Sequence, residues 1–129
     1  MKIDRIDHFV LTVRDIKATC EFYTRVLGME EVTFAGGRKA LQIGRQKINL
    51  HQVGTGPEHV ALNPTPGSED FCLITDVPLA NVIGHLRSCG VEIVAGPVKR
   101  TGALGPMDSI YFRDPDGNLI EISNYLKKA

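Results

Sequence analysis

The chain repeats itself, and this repeat limits its fold more than any other feature. Residues 7–13 read Asp-His-Phe-Val-Leu-Thr-Val, and residues 69–75 read Glu-Asp-Phe-Cys-Leu-Ile-Thr. Each run sets an acidic residue before β-branched and aromatic side chains, which suit the pleated, half-buried surface of a strand. Each then meets an aspartate. Asp15 opens a stretch that ends at Gly28, and Asp76 opens one that ends at Gly90. An aspartate carboxylate accepts from the unpaired N–H groups of a first helical turn, and glycine tolerates the positive φ that follows a last turn. Between these residues the apolar positions recur at helical spacing: Ile16, Cys20, Tyr23, Val26 and Leu27 in the first stretch, Leu79, Val82, Ile83 and Leu86 in the second. Pro78 falls in the first turn, where its missing N–H costs nothing.

More strands follow each helix. The first half predicts Val32–Phe34, Lys39–Ile43 and Lys47–Gln52, with turns at Gly36-Gly37 and near Gly44–Gln46. The second half predicts Glu92–Val94, Ser109–Arg113 and Leu119–Asn124, with a turn at Asp114–Asn118 and a longer loop over Gly96–Asp108. Lys99 and Arg100 in that loop suggest either a solvated segment or a lid that grips an anionic substrate. Residues 54–67 hold three prolines, three glycines and no periodicity, and read as a linker.

The expected class is α+β, with two βαβββ modules in one domain over residues 1–129. Module one covers about 5–53, the linker about 54–67 and module two about 68–126. A helix covers one face of each sheet. The second module is the natural cover for the other face, which predicts a half-open mixed β barrel with a central cavity.

Composition narrows the function classes. At 129 residues and 43% hydrophobic, the chain can bury a core and is not a disordered segment. Fifteen basic and fifteen acidic side chains cancel, so there is no electrostatic footprint for nucleic acid or a membrane surface. No apolar run is long enough to span a bilayer, and the first residues lack a signal-peptide core, so a cytoplasmic protein is expected. Cys20, Cys72 and Cys89 form no CxxC, and their odd number argues against a disulfide framework.

Several segments then resemble one family. Asp7-His8-Phe9, the run Phe22-Tyr23-Thr24-Arg25-Val26-Leu27-Gly28-Met29 and the run Phe112-Arg113-Asp114-Pro115-Asp116-Gly117-Asn118-Leu119-Ile120-Glu121 are similar to the vicinal oxygen chelate superfamily. That group includes glyoxalase I, extradiol dioxygenases, fosfomycin-resistance enzymes, methylmalonyl-CoA epimerase and bleomycin-binding proteins. Arg38-Lys39-Ala40-Leu41, Ile48-Asn49-Leu50-His51, Pro66-Gly67-Ser68 and Arg100-Thr101-Gly102-Ala103 resemble small stand-alone glyoxalase-domain proteins, some called virulence-associated.

The resemblance implies a single divalent metal ion, Zn, Ni, Mn or Fe, held by the first and last strands of each module. It places His8 and Glu121 at ligand positions. Aligning the modules sets Ile48-Asn49-Leu50-His51 on Ile120-Glu121-Ile122-Ser123. Asn49 then stands where glyoxalase I has a glutamate, and Asp70 where it has a second histidine. Asp70 offers a carboxylate oxygen as a further ligand. Strand alternation puts Ile120 and Ile122 toward the helix layer and Glu121 toward the cavity. His51 shares the face of Asn49, about 6.6 Å along the strand, as a ligand, an acid/base group or a pocket-lining residue. His59 and His85 read as surface residues.

Two functions follow from the resemblance. The first is a metal-dependent, lactoylglutathione-lyase-like lyase or isomerase, or a related dioxygenase, acting on a small oxygen-rich substrate, with Glu121 or His51 moving the proton. The second is a metal-free module that sequesters a small molecule. An open sheet with bare edges further predicts a homodimer.

Overall fold

A computed structural model of the chain describes residues 1–126. The chain divides into two compact units at Ser68 and Glu69. The first contains β1 (His8–Val13), α1 (Ile16–Leu27), β2 (Glu30–Phe34), β3 (Arg38–Ile43) and β4 (Gln46–Gln52). The second contains β5 (Asp70–Ile74), α2 (Leu79–Ser88), β6 (Ala95–Gly102), β7 (Gly105–Arg113) and β8 (Leu119–Tyr125). Each unit is one four-stranded mixed sheet, ordered β1-β4-β3-β2 or β5-β8-β7-β6, and neither sheet closes on itself. In each, the first strand runs parallel to the last and the other pairs are antiparallel. The α+β class and the two βαβββ modules are those the repeat predicts.

The alternation of apolar residues sets which face each sheet buries. In unit one, Phe9, Leu11 and Val13 register with Ile48, Leu50 and Gln52. Leu11, Val13, Ile48 and Leu50 are buried, as are Cys20, Tyr23 and Val26 of the helix that packs on this sheet. In unit two the core is Ile110, Phe112, Ile120 and Ile122 with Leu79 and Leu86 of α2. Each such side chain contributes about 1.5–3 kcal/mol of burial.

The first helix starts and stops where its sequence says. Asp15 Oδ1 accepts from Ala18 N at 3.2 Å. Gly28 takes the left-handed conformation (φ 66°) and donates its N–H to Thr24 O at 3.1 Å. The second helix differs. Asp76 does not cap it; Pro78 occupies the cap position and offers no side-chain bond. A helix capped by Asp76 would begin at Val77, but a residue before proline is pushed out of the α region. The cap comes instead from β8. Leu79 N–H donates to Asn124 Oδ1 at 3.0 Å, and Asn124 Nδ2 donates to Thr75 O and Val77 O at 2.8 and 3.0 Å. Gln52 holds the matching place in unit one: its Oε1 accepts from Ile16 N at 3.2 Å and its Nε2 donates to Arg14 O.

A second difference lies in the segment read as a loop. Glu92–Val94 is not a strand, although Val94 N–H donates to Tyr111 O at 2.8 Å. The strand begins at Ala95, and β6 and β7 form a hairpin across most of Gly96–Asp108. Gly96 sits at φ 105° where the register slips, and a Cβ there would lie 2.5 Å from Ser109 O, so this crossing requires glycine. Lys99 and Arg100 are therefore strand residues. Lys99 Nζ pairs with Asp108 Oδ1 at 2.9 Å and Arg100 Nε donates to Tyr111 OH at 2.9 Å.

The turn expected at Asp114–Asn118 is present, and the structure shows it held as a hydrogen-bonded clasp. Buried Asp114 accepts from the N–H groups of Asp116 and Asn118 and from Asn118 Nδ2. Asn118 Oδ1 in turn accepts from Glu69 N at 2.9 Å, fixing where β5 starts. Among the described residues no helix is long and apolar enough to cross a membrane, and the three cysteines form no disulfide.

Candidate functional site

The candidate residues lie on the sheet faces opposite the helices. In unit one this face carries His8, Val10 and Thr12 of β1 beside Lys47, Asn49 and His51 of β4. In unit two it carries Asp70 and Cys72 of β5 beside Leu119, Glu121 and Ser123 of β8. The two registers are equivalent. His8 pairs with Lys47 as Asp70 pairs with Leu119, and Asn49 pairs with Val10 as Glu121 pairs with Cys72. The first residue of the first strand and a mid-strand residue of the last therefore share one face in both units. Their offset of two residues is about 6.6 Å of strand rise.

His8 Nδ1 lies 2.8 Å from Asp7 Oδ2. This bond, the largest influence on Asp7, holds its carboxyl below the ordinary carboxylate range. A carboxylate on one ring nitrogen fixes the tautomer and leaves the other, Nε2, as a lone-pair donor, the arrangement that metal-binding histidines use.

Asn49 is buried, and its Oδ1 has no hydrogen-bond partner among the described residues. A buried amide oxygen left unpaired costs about 1–3 kcal/mol, so this atom suits a ligand that approaches it. Glu121 is half-buried. Its Oε2 accepts from Ser123 Oγ at 3.3 Å; Ser123 Oγ lies 2.6 Å from Ser109 Oγ and 3.2 Å from Cys72 Sγ. Both serines are fully buried. Burial pushes the Cys72 thiol up. Asp70 is exposed on the same face.

His51 stands apart from His8. It registers with Thr12, four residues beyond His8, or about 13 Å along the strand. The structure does not bring the two histidines together. Burial, and then the nearby Arg38 guanidinium, lower the His51 pKa, so the ring is held neutral. Its Nε2 is buried with no partner among the described residues. His59 and His85 are exposed, as expected.

Among the described residues no three His, Cys, Asp or Glu side chains converge. Unit one offers an imidazole and an amide oxygen, from His8 and Asn49, and unit two offers carboxylate oxygens, from Asp70 and Glu121. Imidazole, amide oxygen and carboxylate are donor types that fit borderline or hard divalent ions.

The glyoxalase/bleomycin resistance protein/dioxygenase superfamily model matches residues 5–122. The chain belongs to this superfamily. It is 58% identical over 126 residues to Virulence protein STM3117 of Salmonella typhimurium, covering 98% of this chain and 88% of that protein. It is 53% identical over 125 residues to Glyoxalase domain-containing protein RDO1 of Mycosarcoma maydis, covering 97% and 70%. Among solved structures, the V. cholerae integron cassette protein VCH_CASS1 superposes with a TM-score of 0.96 at 56% identity, over 98% of both chains. The same fold, at identities that speak for fold alone, appears in a lactoylglutathione lyase from Agrobacterium tumefaciens (TM-score 0.73, 24% identity, 96% of both chains). It also appears in the antibiotic binding protein TnmS3 from Streptomyces (TM-score 0.78, 21% identity, 98% of this chain and 99% of that one).

Sequence reasoning missed Asp7 as the partner of His8, the Ser109–Ser123 pair beneath Glu121, and Arg38 beside His51. The first had a signal, since Asp7 adjoins His8. The second depends on the β7–β8 register, which sets Ser109 opposite Ser123.

Proposed function

We propose that this glyoxalase-superfamily chain is a metal-dependent enzyme of the lyase or isomerase kind, acting on a small oxygen-rich substrate. His8 and Glu121 hold the ion, and Asn49 Oδ1 and Asp70 are the further donors. The observation that carries the reading is the equivalence of the two registers, which sets His8 with Asn49 and Asp70 with Glu121 on one face of each sheet. The carboxylate-held His8 ring supports it.

When bound, a divalent ion supplies Lewis acidity to adjacent substrate oxygens. The chain supplies the proton chemistry. An amide cannot take a proton, so Asn49 binds and orients only. Glu121 accepts a carbon-bound proton at Oε1, while Ser123 Oγ holds Oε2 and limits rotation of the carboxylate. The hydroxyl of Ser109, 2.6 Å from that of Ser123, keeps the donor pointed at Glu121.

A metal-free binding module is the second reading, favoured by the fold shared with an antibiotic binding protein. Elemental analysis separates the two. The wild-type protein, purified without chelator, is compared with the His8→Ala/Glu121→Gln double variant. About one equivalent of Zn, Ni, Mn or Fe in the wild type alone is the expected result. No metal in either, even after incubation with these ions, refutes the chelate mechanism in favour of the binding module.

A further inference from the structure

A second feature of unit one lies outside this mechanism. A cleft of about 250 Å³ opens where the Gly36-Gly37 turn and Arg38 meet the end of β4 and the segment Thr55–Pro57. Its walls are uneven in chemistry. Ile16, Leu50 and Pro57 make an apolar side. Arg38 and Lys39 bring two cations, and no acidic residue lines the cleft among the described residues. Lys39 is already matched, by Glu31 Oε2 at 3.0 Å and Thr33 Oγ1 at 2.7 Å. Among the described residues no carboxylate pairs with the Arg38 guanidinium, which lies over the Phe34 ring, 4.9 Å from the centroid. One positive charge is therefore left unmatched.

His51 gives the second, independent observation. It lines the cleft, is only 9% exposed, and its Nε2 is buried without a partner among the described residues. Gly56 lies beside the ring: a Cβ there would sit 3.9 Å from His51 Nδ1, at ordinary contact distance. An imidazole ring carries at least one N–H donor.

The geometry points to a binding site for a short aliphatic monocarboxylate in this cleft. The carboxylate meets the Arg38 guanidinium, whose planar fork matches it in shape and charge. An N–H of His51 is the second donor. The alkyl chain lies against Ile16, Leu50 and Pro57. A dianion such as phosphate fits less well, because one unmatched cation leaves one charge uncompensated beside an apolar wall. The volume falls below that of a pocket for a drug-sized molecule, and suits a group of a few heavy atoms.

The site does not depend on the metal reading, and the test keeps the two apart. Butyrate is titrated into the full chain and followed by NMR, with inorganic phosphate in parallel. Saturable shifts at the Ile16 and Leu50 methyls and at Arg38 Nε are expected. Arg38→Gln, at an exposed position, weakens butyrate by about fivefold or more, and phosphate binds more weakly than butyrate. The His8→Ala/Glu121→Gln variant binds butyrate as the wild type does. The proposal is overturned by the absence of saturable shifts, by a smaller loss in Arg38→Gln, by phosphate binding as well as butyrate, or by loss of butyrate binding in the double variant.

Discussion

The cap on the second helix offers a test that separates local from long-range sequence logic. Asp76 is the residue a local reading assigns to that role, while Asn124 is the residue the structure assigns, 45 positions away from Leu79. Asn124→Ala removes one acceptor from the helix start, a loss of about 1 kcal/mol for a cap. It also removes two donor bonds, to Thr75 O and Val77 O, each about 0.5–1.5 kcal/mol. Val77 is exposed, so water replaces part of the last. The sum is about 2–3 kcal/mol. For 129 residues, 1 kcal/mol corresponds to about 4 °C, so the midpoint falls by about 8–12 °C. Asp76 is exposed, and its carboxylate bonds to nothing among the described residues, so Asp76→Ala changes stability by less than about 0.5 kcal/mol. Calorimetry and urea unfolding on both variants give the comparison. Equal losses, or a larger loss at Asp76, would refute the long-range cap.

Two further predictions concern titration and assembly. His51 titrates near 6.5 when unfolded and lower when folded. In that window the unfolded chain holds the extra proton, so stability falls as pH drops through 6.5 toward the folded value and is restored above it. Urea unfolding between about pH 7.5 and pH 5 shows this slope, and His51→Gln flattens it; an unchanged slope in the variant excludes His51 as its source. β2 and β6 each end their sheet, and Leu62 and Leu104, outside those strands, are 93% and 86% exposed; a homodimer is the expected assembly. Light scattering at micromolar concentration then gives twice the 14.1 kDa chain mass, and a monomer mass refutes it.

The legible parts of the fold are those written in contiguous residues. The α1 boundaries follow from Asp15 and Gly28, each of which bonds within four positions of itself. Strands such as β4 and β8 follow from alternation, and the face shared by Asn49 and His51 follows from the same period. β6 was not legible. Its sequence, Ala-Gly-Pro-Val-Lys-Arg-Thr-Gly, has no alternation and buries little, because an outer strand is held by backbone pairing with β7 and not by side-chain burial. The site was partly legible for the same reason. Motif positions single out His8, Asp70, Glu121 and Asn49 as candidates, but the separation of His8 from His51 needs the β1–β4 register, which no local pattern encodes.

The amide caps also bear on how the chain comes off the ribosome. α1 obtains the Gln52 contact only after 36 further residues have been made beyond Ile16, and α2 obtains its Asn124 contact only after 45 beyond Leu79. Each helix is thus translated well before its final hydrogen-bond partner exists. The first module can complete itself while the second is still being synthesised, since Gln52 lies before the linker. The second cannot, because Asn124 is among the last residues of β8. Nascent chains arrested just short of Asn124 would carry a finished first half and a second helix still open at its amino end, which makes the end of β8 a checkpoint for the second unit.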